Sequence, residues 1–177
     1  QANLLPEGCD AVTVFANPFS EKREHVSATV SFDDGKTWSQ MHPIPNTWNG
    51  HTEASAPITV LHDGSWAAPI TGFPTWEGEK VSKDCGRILR SCDEGKTWND
   101  DVICMEFPGN TVLCYEQRMC QLDSGAIIDI GWNENLVTGE RLNNHYTVSF
   151  DNGKTWSEKH LAPLSSPHGP CVLKDGT

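Results

Sequence analysis

The chain has 177 residues, 37% of them hydrophobic and 21% charged, which suffices for one globular domain with its own core and excludes a disordered polymer. Its net charge of −11, from 13 basic and 24 acidic side chains, excludes a nucleic-acid partner and leaves no polybasic handle for an anionic membrane. No apolar run approaches the roughly 18 residues of a membrane span, and no basic-then-apolar leader is visible from Gln1 onward.

In chain order, the sequence is a succession of short strands and glycine turns. The first turn, Leu5-Pro6-Glu7-Gly8, returns as Leu61-His62-Asp63-Gly64, Leu122-Asp123-Ser124-Gly125 and Leu173-Lys174-Asp175-Gly176, with the leucines 56, 61 and 51 residues apart. A second motif is interleaved with it: SFDDGKTW at 31–38, SCDEGKTW at 91–98 and SFDNGKTW at 149–156, starting 60 and then 58 residues apart and identical at six of eight positions. Two turn motifs in one order and with one period define a supersecondary unit of about 60 residues. The units run roughly 1–50, 51–110 and 111–165, with the start of a further one at 166–177.

The middle unit reads as four strands. The first is expected from Ala56 to Leu61 and the second from Ser65 to Thr71, across the His62-Asp63-Gly64 turn. A loop from Gly72 to Asp84 carries Pro74 and Gly78, the third strand runs from Arg87 to Ser91, and the fourth starts near Thr97. Short strands, glycine turns and no helical period predict an all-β fold, and four strands per repeat is the unit of a β-propeller blade. The expectation is a propeller of four-stranded antiparallel blades, about three of them present.

The repeated turn has a structural chemistry. Asp33, Asp93 and Asp151 can accept backbone amides within it, and Gly35, Gly95 and Gly153 supply positive φ. The Ser and Thr hydroxyls can tie the hairpin across, and Trp38, Trp98 and Trp156 are expected to bury a large ring between strands or blades.

Seven cysteines are an odd number, so at least one is unpaired within the chain. No CxxC occurs and no Cys/His pair has zinc-finger spacing, so neither a metal nor another cofactor is expected. Cys92 takes the place of Phe32 and Phe150 in the repeat, and Cys120 and Cys171 both lie two residues before a repeat leucine, so all three are expected as small inward core residues. Cys9, Cys85, Cys104 and Cys114 have no assignment from the repeat.

SxDxGxTW is the Asp-box, or bacterial neuraminidase repeat, and on its three copies the chain resembles the sialidase superfamily of six-bladed propellers over essentially its whole length. The resemblance implies a fragment amounting to half a ring, completed by further blades or by a second copy. It implies an exo-acting glycoside hydrolase that removes a terminal sugar such as sialic acid from a glycan, with no resident cofactor. Action on external glycans would place it outside the cell or in the periplasm.

In such a propeller the ligand sits on the central axis, at the mouth formed by the inner strands and the loops leading into them. The residues before the repeat leucines are therefore the candidates: His51 and Glu53, then Tyr115, Glu116 and Arg118, then His168. Loops after the second strands add Trp76, Trp132 and Asn133. His25, Arg87 and His145 fall on third strands and are expected to be structural.

The sialidases resembled here hold a substrate carboxylate with three arginines and use a Tyr nucleophile activated by Glu, with an Asp acid/base. Guanidinium forks suit a carboxylate, and a neutral phenol approaches an anomeric centre beside a negative charge with less repulsion than a carboxylate does. Glu116 stands six residues before Leu122, as the family's catalytic Glu does before its leucine turn. Trp132 stands ten after Leu122, where the family tends to place a clamp arginine, and Ser55-Ala56-Pro57 keeps the Pro of an Arg-Ile-Pro motif without its Arg. Between Asn17 and His25 the acidic residues are Glu21 and Glu24, not the family's Asp.

Glu116, Arg118 and Glu53 are thus the candidate catalytic residues. His51, Tyr115, Trp76, Trp132, Asn133 and His168 are the candidate substrate contacts. Two other readings are open. One is a carbohydrate-binding propeller without turnover, using the tryptophans and histidines as a sugar platform. The other is a polysaccharide lyase, in which His51 or His168 with Tyr115 or Tyr146 removes a proton beside a uronate held by Arg118.

Overall fold

The computed structural model describes residues 11–16, 26–44, 51–73, 85–166 and 168–176. It is all-β, with three antiparallel sheets. The first holds β1 (Ala11–Ala16), β2 (Val26–Ser31) and β3 (His42–Ile44), in that order. The second holds β4 (His51–Glu53), β5 (Thr59–Val60), β6 (Trp66–Phe73), β7 (Cys85–Ser91) and β8 (Asn99–Glu106). In it β4 and β5 both pair with β6, which is followed outward by β7 and β8. The third holds β9 (Val112–Gln121), β10 (Ile127–Asn135), β11 (His145–Ser149) and β12 (His160–Leu161), in that order. Each sheet is a propeller blade, and the ring is not closed by the three of them. Among the described residues no helix is long and apolar enough to cross a membrane.

The expected inner strand of the second blade is interrupted. Instead of running from Ala56 to Leu61 it forms the two short pieces β4 and β5. Pro57 lies between them, and its lack of an N–H removes a ladder bond there. The fourth strand begins at Asn99, two residues beyond Thr97.

Blades stack face to face through two apolar clusters. Ala28 and Ile44 of the first blade meet Ile58, Trp66, Ala68, Ile70 and Leu89 of the second. Leu61, Ala67, Ile88, Cys104 and Met105 of the second meet Cys114 and Ile127 of the third. The middle blade is therefore covered on both faces, and β7 is buried at five of seven positions instead of alternating. Each fully buried Leu or Ile here contributes about 1.5–3 kcal/mol over an exposed one.

The Asp-box turn repeats in atomic detail. Asp33 Oδ1 accepts from the Thr37 amide at 2.8 Å and Asp33 Oδ2 from the Thr37 hydroxyl at 2.7 Å. The matching bonds of Asp93 measure 2.8 and 2.6 Å, and those of Asp151 2.9 and 2.6 Å. The Ser31, Ser91 and Ser149 hydroxyls each accept from the turn glycine amide at 2.8 Å. Two successive residues are left-handed: Asp34, Glu94 and Asn152 lie at φ 56, 59 and 58°, before Gly35, Gly95 and Gly153 at 76, 81 and 77°.

Two expectations about the box are corrected. Trp38 is 44% exposed, because its indole covers its own turn and donates to Gly35 O at 3.1 Å instead of filling a gap between blades. Trp98 also donates to its turn, to Gly95 O at 3.0 Å, and tilts against Trp66 with centroids 6.5 Å apart. The position taken by Phe32, Cys92 and Phe150 faces outward, with Phe32 60% and Phe150 82% exposed, so Cys92 is not a core residue. Cys171 is exposed and Cys120 half-buried, whereas the unassigned Cys85, Cys104 and Cys114 form part of the buried interior. All six described cysteines are thiols. Cys9 lies outside the described residues.

Polar contacts fix the second blade against the third. At the Asp-box end, the His62 amide donates to Gln121 Oε1 at 2.7 Å, Gln121 Nε2 to Asn152 Oδ1 at 3.1 Å, and Asn152 Nδ2 to Asp63 Oδ2 at 3.1 Å. Deeper in, Gln117 Nε2 donates to Ile70 O at 2.7 Å and to Thr71 Oγ1 at 2.9 Å, while the Thr71 hydroxyl donates to Cys114 O at 2.6 Å. Cys104 Sγ lies 3.0 Å from Gln117 Oε1 and 3.4 Å from Asp129 Oδ2.

Candidate active site

The segment Tyr115-Glu116-Gln117-Arg118 lies on β9, the innermost strand of the third blade. Pairing of β9 with β10 passes from Arg118↔Ile130 to Tyr115↔Trp132, so Glu116 and Gln117 together face Gly131. This two-against-one count is a β-bulge, which bends a strand and re-aims its side chains. Glu116 sits within it at φ 43°, left-handed in the middle of a strand. That conformation costs about 1–3 kcal/mol for a residue with a Cβ and persists only where the surroundings impose it. The imposing contacts are next door, since the buried Gln117 amide is clamped to Ile70 and Thr71.

The bulge sets the neighbouring side chains. Tyr115 stacks on Trp132, with centroids 5.1 Å apart and planes 28° from parallel. The Arg141 guanidinium lies over the Trp132 ring at 5.1 Å, brought there by the Glu134↔Arg141 bridge that closes the loop after β10. Arg118 does not pair with the Glu116 carboxylate. Its Nη1 donates to the backbone oxygens of Glu116 at 3.3 Å and Gln117 at 3.1 Å. A guanidinium held this way braces the bulge and leaves its Nε and Nη2 donors to an anion.

The other candidates fall at different depths. Glu53 is half-buried on β4, opposite Thr71, and accepts a hydrogen bond from Ser55 Oγ. Thr71, on β6, in turn donates to Cys114 O of β9, so Glu53 is linked through β6 to the strand that carries Glu116. His168 is partly buried, its Nδ1 2.8 Å from Ser166 O and 3.0 Å from Asn144 Nδ2, which ties the ring to the loop before β11. Gly169 packs directly on the Arg118 side chain. The main chain of His51 pairs with Phe73. Its side chain, Trp76 and the Asn17–His25 loop lie outside the described residues.

Asn133 is a correction. It is fully buried, its Nδ2 donating to Leu113 O at 3.2 Å and its Oδ1 accepting from the His145 amide at 2.9 Å. It holds the strand pair in place and is closed to a substrate. His145 packs edge-on against Phe107 at 5.0 Å, and burial, reinforced by the charge of Lys159, lowers its pKa. Among the described residues no group of three His, Cys, Asp or Glu side chains stands ready to hold a metal ion.

Sequence reasoning missed Gln117, Thr71 and Arg141. Arg141 carried a local signal, the Asn135–Gly139 turn that folds it back on Glu134. Gln117 and Thr71 carried none, because their meeting spans 46 residues.

Residues 147–158 match the family model of the BNR/Asp-box repeat. A comparison with curated proteins gives no match. Among solved structures, a protein of unknown function from Dyadobacter fermentans superposes with a TM-score of 0.69 at 16% identity, covering 85% of this chain. The NanB sialidase of Streptococcus pneumoniae superposes at 0.59 with 20% identity over 80% of this chain. The intramolecular trans-sialidase of Ruminococcus gnavus does so at 0.56 with 18% identity over 78%. The chain is part of a sialidase-like propeller. It spans 42% of the first of these structures, 20% of the second and 27% of the third.

Proposed function

We propose that this propeller belongs to an exo-acting glycoside hydrolase of the sialidase type, which removes a terminal sugar such as sialic acid from a glycan. The observation that carries the reading is the left-handed Glu116 in the β9 bulge, a strained residue on an inner strand of a sialidase-like propeller. The NanB and trans-sialidase neighbours, which by name act on sialic acid, support the substrate class. Glu116 is assigned the proton transfer that activates the nucleophile, and Arg118 the charge facing a substrate carboxylate. The Tyr115–Trp132 stack is assigned to the sugar's apolar face, with Glu53 on β4 and His168 in the C-terminal segment beside β9 as further contacts. The rest of the site is assigned to further blades or to a second copy that closes the ring.

The test is release of a fluorescent aglycone from a sialoside by the protein with its ring complete, alongside Glu116→Gln. The expected outcome is a fall in kcat of about 10²–10⁴-fold with KM little changed. No turnover by a well-folded wild type sinks the hydrolase. A carbohydrate-binding propeller without turnover is the second reading, favoured by Trp132 standing where an arginine would clamp the substrate. Sugar binding by wild type and variant alike, with no aglycone release, selects it.

A further inference from the structure

Gly169 and Arg118 are 51 residues apart, and so are Cys171 and Cys120. A Cβ placed on Gly169 would sit 3.3 Å from the Cβ of Arg118, and one placed on Gly176 would sit 2.9 Å from the Cβ of Asp123. The stretch 169–176 therefore runs against 118–123 at both ends of the contact. Cys171 and Cys120 lie inside it, at the offset of the Gly169–Arg118 pair. Residues two apart on an extended chain share a face, so Cys120 follows Arg118 and Cys171 follows Gly169 toward the same seam. A disulfide spans a Cβ separation of about 3.5–4.5 Å, and the chains approach at least that closely on both sides of the pair. Both residues are thiols, Cys171 exposed and Cys120 half-buried.

We propose that Cys120 and Cys171 are a thiol pair that a small disulfide such as oxidised glutathione converts into a bond between β9 and the C-terminal segment 169–176 that runs beside it. This inference is independent of the proposed hydrolase. The exposed Cys171 reacts first: its thiolate attacks one sulfur of the oxidant, forming a mixed disulfide and expelling one glutathione thiolate. The Cys120 thiolate then attacks the Cys171 sulfur, forming the protein disulfide and expelling the second glutathione thiolate. The two protein thiols lose two protons and two electrons, and the oxidant is reduced to two thiols. Burial, and the neighbouring Cys171, push the Cys120 thiol up, which leaves the first attack to the exposed Cys171. The bond would fix the segment carrying His168 and Gly169 against the strand carrying Glu116 and Arg118.

The experiment treats the chain with oxidised glutathione and maps its peptides by mass spectrometry without reduction. The expected result is a cross-linked pair holding Cys120 and Cys171, lighter by two hydrogens than the separate peptides, and a thermal midpoint raised by roughly 5 °C or more. Cys92, exposed on an Asp-box, serves as internal control and should keep a glutathione adduct. Cys120→Ser should leave Cys171 as a stable adduct, and Cys171→Ser should leave Cys120 slow to react. A wild type in which Cys171 stays glutathionylated as fully as in Cys120→Ser overturns the proposal.

Discussion

Among the described residues five non-glycine residues adopt positive φ, and four of them, Asp34, Glu94, Asn110 and Asn152, sit in turns where a left-handed residue reverses the chain. Glu116 is the exception, because it lies within a strand. Strain held at a strand interior points to a side chain whose direction matters more than its local energy. Glu116→Gly should therefore leave the protein as stable as wild type or more so, by about 1 kcal/mol, while turnover is lost. Urea unfolding beside the sialoside assay checks this, and a variant markedly less stable than wild type would show that the carboxylate serves the fold. The family spacing before Leu122 was legible at this position. The bulge that aims Glu116 was not, because it arises from Gln117 reaching across to Ile70 and Thr71.

At the scale of the element, the Asp-box is a carboxylate wrapped by hydrogen-bond donors. The Thr97 hydroxyl and amide lower the Asp93 pKa to about 2, with Ser91 adding to them. Slight burial of Asp151 works the other way, but the bonds from Thr155 and Ser149 outweigh it and bring it to about 2 as well. A carboxylate depressed in the folded state stabilises it at pH above the ordinary 3.8, and that contribution disappears as pH falls toward 2. Thr97→Val should raise the Asp93 titration toward its ordinary value and shift acid unfolding to higher pH. NMR of the side-chain carboxyl resonances, followed with far-UV dichroism, reads both, and an unmoved Asp93 titration would show that the hydroxyl is not the cause. The motif's residue types predicted this chemistry well because all the partners lie within four residues of the Asp. Trp98 and Trp156 pack half-buried against the two inter-blade clusters as expected, but Trp38 was misjudged for the complementary reason: what covers its ring depends on neighbours that the motif does not contain.

At the scale of the molecule, the seam between the second and third blades holds a buried acid. Asp129 is fully buried, and burial raises its pKa to about 7, partly offset by the Cys104 thiol beside it. A raised carboxyl works in the opposite sense to the Asp-boxes: its contribution is complete below the ordinary 3.8 and is lost as pH rises toward 7. Asp129→Asn should remove that loss, so the variant gains on wild type across this interval and exceeds it at pH 8 by on the order of a few kcal/mol. Denaturant melts from pH 4 to pH 8 measure it, and parallel pH dependences in the two proteins would place the titration elsewhere. The same seam carries the Gln117 clamp, so the packing of one blade on the next sets the geometry of the candidate site.

The sequence by itself determined the architecture. Three copies of one turn and four of another fix the blade period, and the local hydrogen-bonding of Ser, Asp, Gly and Thr makes each turn fold the same way wherever it stands. It also brought forward Tyr115, Glu116 and Arg118, through their spacing from a repeat leucine. Tertiary structure alone decided which candidates face outward. It buried Asn133, sent Arg118 to backbone oxygens and stacked Arg141 on Trp132. It turned Phe32, Cys92 and Phe150 to the surface and drew Cys104 inside. The physical reason is range. A turn is specified by donors and acceptors a few residues apart, whereas burial and side-chain direction at a blade seam depend on surfaces contributed by residues some fifty positions away.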